Sequence, residues 1–543
     1  MEDPSSLPSF DADMKRLLFP QPLSFAHQCS SLLQRCMKTK ALKPCKQIHA
    51  LTLTKHVDMN VLSLSSKLIG AYACCGDLTS SQLLLQEAPH PNVFALNWMI
   101  FTLTSSGHHQ EAFRYFSLCQ ESRNNISSPN KYTFSAILRG CVGLLDLDIG
   151  KQVHALIYKM GFEKYITVGN ALIRMYGMCS NICNARHLFD RMTERDVASW
   201  TTMICGYADA GEIEESVVLF GRMRVEGVKP NEFTWNAIIA GHARNEDCDG
   251  AFRFFSLMDK EGFVPDLPTW NALISGYVQS QRAMEALEFL RDMLFSGIKP
   301  NQVTLTAVLP ACGMIASIGT GKEIHGLLYR MDLDINVFVA SALIDMYSKC
   351  GSIKNARHVF NTTTNKNTAS WNAMIGCYGK HGMVDCAIEL FEKMHCEKIQ
   401  PNGVTLTSVL SACSHGGLVE KGLEIFKCMD SYGVKANKEH YSCLIDVLCR
   451  YGRIEDAYDF LKQIGVEIAN STIGAFLNGC KIHERRDIAE KIYKHLGTEM
   501  KKPGGFVTLS NIYASEGKWG GVEDVRKVMK ENKVLKKPGF STV

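Results

Sequence analysis

Several things are scarce in this 543-residue sequence, and each shortage removes a class of function. No two of its 21 cysteines lie three positions apart, so the Cys-x-x-Cys of zinc ribbons and thioredoxin-like motifs is missing. No apolar run reaches the roughly 20 residues a bilayer-crossing helix needs. Charge of one sign is also lacking. With 59 Lys+Arg against 55 Asp+Glu the net is +4, too little to hold nucleic acid or an anionic membrane by charge alone. The opening MEDPSSLPSFDADMKRLLFPQP carries Glu2, Asp3, Asp11 and Asp13 against Lys15 and Arg16. Organelle transit peptides are acid-poor and Arg-rich, so 1–25 is at best an atypical targeting segment, and no secretory signal is visible. Tryptophan is rare, six in all, yet Trp200, Trp235, Trp270 and Trp371 fall on a common rhythm.

That rhythm organises the chain, which is too long for a single ordinary core. Pro230, Pro265 and Pro300 are spaced by 35, while Pro129 precedes and Pro401 follows them by 101. Interleaved lengths of 35 and 31 account for both spacings. Thirteen units result, beginning near 26, 62, 93, 131, 166, 197, 232, 267, 302, 337, 368, 403 and 438. The unit from 93 has an insertion around RNNISS, and those from 62, 166 and 337 are short.

Each unit reads as two helices. In SWTTMICGYADAG, Trp200, Met203, Ile204 and Tyr207 share one face, and the break at Ala210-Gly211 ends the helix. A second helix follows, with Val217, Phe220 and Met223 on one side, and Gly227 and Pro230 stop it. One such hairpin cannot bury its apolar faces, whereas hairpins in series cover one another. The expected fold is therefore an all-α solenoid of tandem helix-turn-helix repeats. The Trp and Met stripes are then core. Cys36, Cys141, Cys312 and Cys413, at one position of the longer units, read as small apolar contacts in a reducing compartment.

Two polar positions recur. The fifth residue of a unit is Asn, Ser or Thr in all thirteen, and the last is Asn or Asp in eleven. Such residues are favoured at helix starts and turns, which accounts for a bias at one of the two positions. It accounts less well for joint restriction of both while their identities vary. Short amides and hydroxyls along a solenoid edge can read the Watson–Crick edges of splayed-out bases.

These units, with VFVASALIDMYSKCGSIKNARHVF (337–360) and NAMIGCYGKHGMVDCAIELFEKM (372–394), resemble the plant pentatricopeptide repeat family. The resemblance is to the class that mixes long, short and 35-residue units, and it covers 26–543. It implies a right-handed superhelix in which the fifth and last residues of each unit select one base of single-stranded RNA. Asn170/Asp196 and Asn236/Asp266 then look like uracil readers, and Ser66/Asn92, Thr201/Asn231 and Ser341/Asn367 like adenine readers. Asn97/Asn130, Asn271/Asn301 and Asn372/Asn402 look like pyrimidine readers. Long units such as Ser30/Asn60, Thr306/Asn336 and Thr407/Asn437 follow the pattern less closely, while Ser135/Tyr165 and Ser442/Ala469 depart from it. The units from 62 to 368 together imply A-Y-n-U-A-U-Y-n-A-Y. Phe94, Tyr132, Phe233 and Phe338, at the second position, resemble the family's base-stacking side chains, which add affinity with little sequence choice.

From 470 the rhythm changes. FLNGCKIHERRDIAEKIYKHL and FVTLSNIYASEGKWGGVEDVRKVMKENKVLKKPGFSTV resemble the extension (E) motifs of the family's RNA-editing branch. Residues 470–543 hold 14 Lys/Arg against 8 Asp/Glu, and the preceding 469 hold 45 against 47, so positive charge is concentrated in the tail. Some relatives carry a zinc-dependent cytidine deaminase, which needs His-x-Glu and Cys-x-x-Cys. Here His109-Gln110-Glu111 lies in a repeat with no Cys-x-x-Cys to accompany it, and the sequence ends soon after KKPGF. The expectation is a non-enzymatic factor without cofactor, metal or membrane span. It would choose a site for organellar C-to-U editing and recruit a DYW-type deaminase in trans. Organelle, mitochondrion or chloroplast, rests on resemblance. A splicing or stability factor is the alternative, and a protein-binding scaffold the alternative from another class.

Overall fold

The computed structural model describes residues 22–57, 63–87, 92–121, 128–464, 470–496, 503–515 and 517–531. Segment 1–21, most of the RNNISS insertion, Asn60, Ala469 and the KKPGF end fall outside them. Among the described residues there are thirty α-helices, one 3-10 turn at Met429–Tyr432, and no strand. They form two compact bodies, Met1–Pro265 and Asp266–Val543.

The first body holds seven helical hairpins, from Pro22–Thr39 with Leu42–Thr54 to Glu232–Arg244 with Cys248–Lys260. Each first helix packs on its own second helix and, within this body, on the first helix of the next hairpin, which is how a solenoid hides faces that one hairpin leaves bare. First helices begin at Val93, Lys131, Ile166, Val197 and Glu232, the residues at which the 35/31 rhythm starts its units. The sequence reason is visible at Val197–Asp209. Asp196 caps its N-terminus, the apolar residues follow at helical spacing, and Gly211 turns the chain with φ 82°, a region that costs glycine little. Trp200 and Trp235 are buried edge-on to Phe189 and Phe220 of the preceding hairpins, with centroids 4.9 Å apart in both pairs. Such geometry adds about 1 kcal/mol beyond area burial.

The second body repeats the arrangement in eight hairpins, from Leu267–Gln279 with Ala283–Phe295 to Pro503–Ser515 with Trp519–Glu531. Trp371 meets Phe360 at 5.1 Å. The 31-residue units lose their residues from the second helix. Ile182–Arg191 and Ile353–Thr362 have 10 residues, where Ile213–Val225 and Ala283–Phe295 have 13. The tail after 470 continues the stacking. Leu444 and Leu448, Phe476 and Leu477, then Phe506, Leu509 and Val525 share one buried cluster. Cys36, Cys141, Cys312 and Cys413 are fully buried. Burial pushes their thiols up, to about 11 for Cys36, Cys312 and Cys413 and about 12 for Cys141.

Candidate nucleic-acid interface

The last residue of a unit is the N-cap of the next unit's first helix. Asn92, Asn130, Asp196, Asn231, Asp266, Asn301, Asn336, Asn367, Asn402 and Asn437 each accept a backbone N–H of the first turn through the side chain. Tyr165 makes no side-chain cap. Capping thus explains a short polar residue here, worth about 1 kcal/mol per helix. It does not explain the choice between Asn and Asp. At Asn231 and at Asp196 alike the cap uses Oδ1, so the two differ only in the second atom, an NH2 donor or a carboxylate acceptor.

The fifth residue lies one turn into its helix and is brought to that cap. Within the first body, Ser66 Oγ donates to Asn92 Oδ1 at 2.7 Å, Asn97 Nδ2 to Asn130 Oδ1 at 3.1 Å and Asn170 Nδ2 to Asp196 Oδ1 at 3.3 Å. Within the second, Asn372 Nδ2 donates to Asn402 Oδ1 at 3.1 Å. Thr201 and Ser341 give their proton to the backbone carbonyls of Val197 and Val337, each at 2.7 Å. They meet their partners through the third residue of the next helix, Thr201 lying 2.8 Å from Thr234 and Ser341 3.1 Å from Ser370. Asn271 accepts from Thr304 at 2.6 Å, whose amide Asn301 caps. Thr306 and Asn336 turn elsewhere: the hydroxyl donates to Gln302 O and the amide to Gln302 Oε1. Asn236 sits on Glu232–Arg244 in the first body, and Asp266 caps Leu267–Gln279 in the second.

The electrostatics at Asp196 favour its anion. Partial burial works against ionisation, but hydrogen bonds from Ser199 N–H, the Ser199 hydroxyl and the Asn170 amide together hold its carboxyl below the usual range. The second-position side chains project outward. Phe94, Tyr132, Phe233 and Phe338 are 60–75% exposed, an apolar surface that single hairpin packing leaves unused.

A cavity of about 430 Å³ brings these groups together. Thr201, Asn231 and Phe233 line it beside Arg174 and Arg244. The arginines escaped the sequence reading. Arg174 stands four residues beyond Asn170, on the same helical face, and that spacing was the available signal; Arg244 is ion-paired with Asp209 at 2.6 Å. The chemistry on offer is a donor, an acceptor, an aromatic side chain and cations around one cavity. A larger cavity of about 630 Å³, lined by His154, Tyr158, Tyr176 and His187, contains none of the paired residues.

His109 and Glu111 occupy the first turn of His109–Glu121. Among the described residues no group of three or more His, Cys, Asp or Glu side chains could hold a metal ion, and no helix is long and apolar enough to cross a membrane.

Residues 195–236, 230–269, 265–314 and 366–415 match the PPR repeat family, 404–434 and 432–464 match PPR repeats, and 483–543 match the E motif. A putative mitochondrial pentatricopeptide repeat-containing protein of Arabidopsis thaliana is 32% identical over 521 residues, 95% of this chain and 71% of the relative. A second putative protein of that description is 33% identical over 546 residues, covering 99% and 77%. A chloroplastic relative is 32% identical over 515 residues, and the chain spans 54% of its length. Among solved structures, the pentatricopeptide repeat protein PPR10 from maize aligns with TM-score 0.54 at 20% identity, covering 98% of this chain and 89% of that one. PPR10 in complex with an 18-nt psaJ RNA element aligns at 0.52 and 16%, covering 93% and 85%.

Proposed function

Since the chain belongs to the pentatricopeptide repeat family, we propose that it is a sequence-specific single-stranded RNA-binding factor that selects an organellar cytidine for editing. Residues 26–469 are the recognition array in this reading, and 470–543 recruit a DYW-type deaminase acting in trans.

One observation carries the RNA reading. A side chain that caps a helix as Asn or as Asp is bonded to a variable Asn or Ser at Ser66/Asn92, Asn97/Asn130, Asn170/Asp196 and Asn372/Asn402, and at Thr201/Asn231 the pair shares a cavity with the exposed Phe233. Folding leaves the Asn/Asp choice open, and a nucleobase is sensitive to it. At Asn170/Asp196 the ionised carboxylate fixes the amide with Nδ2 turned toward it, which suits the mixed donor and acceptor edge of uracil. At Thr201 the hydroxyl proton is spent on Val197 O. A lone pair then faces the adenine amine, while the Asn231 amide supplies a donor. Stacking on Phe94, Tyr132, Phe233 and Phe338 adds affinity without sequence choice, which suits a chain of net charge +4.

PPR10 is solved in complex with an 18-nt psaJ RNA element, which supports an RNA ligand, and the E motif at 483–543 supports the editing assignment. The names of the Arabidopsis relatives support an organelle, mitochondrial for one and chloroplastic for another.

Sequencing organellar transcripts with and without the protein tests the whole reading. One cytidine left unconverted downstream of an A-Y-n-U-A-U-Y-n-A-Y match is the expected result. Full conversion everywhere with altered splicing or transcript ends would replace the editing role by a processing one. Failure of purified protein to shift the matching RNA would end the RNA reading.

A further inference from the structure

One side chain beside the pairs has no role in the reading above: the third residue of the following unit. Thr405, following Asn372/Asn402, is fully buried. Its oxygen accepts the Asn402 backbone N–H at 3.0 Å. Its single proton therefore points away from that bond, to Asn372 Oδ1 at 2.6 Å, closer than Asn402 Oδ1 at 3.1 Å. Asn372 Nδ2 meanwhile donates to Asn402 Oδ1 at 3.1 Å. Both ends of the Asn372 amide are thus held. Turning it over would set two carbonyl oxygens against each other and leave the hydroxyl proton facing an NH2 group. Thr133 does the same for Asn97, and Thr304 for Asn271, at 2.5 and 2.6 Å.

The occupant of this position also divides the units. The units without the recurrent cysteine of Cys36, Cys141, Cys312 and Cys413 that pair Asn, Ser or Thr with Asn or Asp are followed by Thr or Ser at position three, with one exception. That exception is Ser66, followed by Ala95, and its own hydroxyl reaches Asn92 directly. The four cysteine-bearing long units, those of Cys36, Cys141, Cys312 and Cys413, are followed by Leu64, Val168, Val339 and His440, none of which carries a hydroxyl. His440 takes over the capping bond through Nδ1 but gives its other ring nitrogen to Gly403 O at 2.9 Å. Gly403 O is the carbonyl that Thr407 also uses, so no proton is directed at Thr407.

We propose that the third residue of each following unit is a positioning residue for base choice. Its hydroxyl locks the fifth side chain in one orientation, and long units read bases weakly because their followers lack that proton. This rests on the base-reading function proposed above. An amide free to turn offers a base either pattern and so discriminates less, by about fivefold for one neutral hydrogen bond.

The test uses the full chain and fluorescence anisotropy on A-Y-n-U-A-U-Y-n-A-Y RNAs carrying each of the four bases at the tenth nucleotide, opposite Asn372/Asn402. Thr405→Val is expected to lower the pyrimidine-over-purine ratio there about fivefold and to leave uracil preference at the fourth nucleotide unchanged, with Thr405→Ser restoring the ratio. In the opposite direction, Val339→Thr is expected to sharpen the base preference opposite Thr306/Asn336. An unchanged ratio in Thr405→Val, or an equal loss at both nucleotides, overturns the proposal by leaving Thr405 a purely structural cap. If the wild-type protein has no preference at either nucleotide, the base-reading function itself falls.

Discussion

Asp196 is where folding and recognition can be pulled apart most cleanly. Its carboxylate accepts Ser199 N–H and the Ser199 hydroxyl, both at 2.8 Å, and the Asn170 amide at 3.3 Å. Asp196→Ala removes all three bonds. The helix Val197–Asp209 loses its cap, at a cost of about 1 kcal/mol, and its favourable charge at the N-terminus, at about 0.5 kcal/mol. Asp196→Asn keeps an Oδ1 for the cap and loses only the charge, so its folding cost is about 0.5 kcal/mol. In local opening equilibria, about 1.5 kcal/mol corresponds to amide exchange roughly tenfold faster across 197–209 in the Ala variant, with near-native exchange in the Asn variant. RNA binding should divide the two differently. The Ala variant weakens binding at the fourth nucleotide, with loss of both the partner and the preference. The Asn variant, combined with Asn170→Thr, should move preference there from uracil toward adenine. One exchanged neutral hydrogen bond is worth about 1 kcal/mol, so each base changes by roughly fivefold and the ratio by more. Exchange mass spectrometry reads the first effect and anisotropy on four RNAs the second. If the double substitution leaves uracil preference intact while exchange over 197–209 stays native, Asp196 is a cap and nothing else.

Other outcomes follow from the same structure. Phe233→Ala should weaken RNA binding about tenfold whatever base is presented, since stacking contributes about 1–3 kcal/mol per base without choosing among them; a changed base preference with unchanged affinity would contradict that role. His49, His154 and His325 each donate to or accept from a tyrosine hydroxyl, at 3.0, 2.9 and 2.9 Å, and burial lowers the pKa of each ring. The unfolded chain takes up these protons below about pH 6.5 and the folded chain only further down, so stability is fully present above that pH and falls as pH drops through it. Thermal melts at pH 7.5 and 5.5 should place the lower midpoint at 5.5, and an equal or higher midpoint would refute the burial argument. Iodoacetamide should label the exposed Cys183, Cys396 and Cys428 in native protein and spare Cys141, Cys312 and Cys413 until denaturant is added, with mass spectrometry scoring each site.

The hairpins were readable because their signals are local. Trp200, Met203, Ile204 and Tyr207 repeat at helical spacing, and Gly211, Gly227 and Pro230 mark the stops, so a 35-residue window contains what it needs to fold the same way each time. The contacts at Ser66/Asn92, Asn97/Asn130, Asn170/Asp196 and Asn372/Asn402 are legible too, since position within a unit is fixed by the period, whereas the turn of Thr306 and Asn336 toward Gln302 is not. The hydroxyl of Thr405 was less so. Threonine at a helix start is expected for capping alone, and its bond to Asn372, 33 residues away, depends on how neighbouring hairpins stack. Arg174 and Arg244 at the rim of one cavity are a tertiary result for the same reason. The continuity of the tail with the repeats was hidden by its composition. Its lysines and arginines drew attention to charge, while Phe476, Phe506 and Val525 join the core begun by Leu444.

A helix start that tolerates either of two near-isosteric side chains has an evolutionary consequence. Asparagine and aspartate codons differ by a single transition, so under the base-reading function proposed above a unit would be readdressed by one point mutation that leaves its fold almost untouched. Drift at Asp196, Asn231 or Asn402 would then alter which transcript is bound long before it altered whether the protein folds, and copies of such a gene could part company in target while remaining alike in shape.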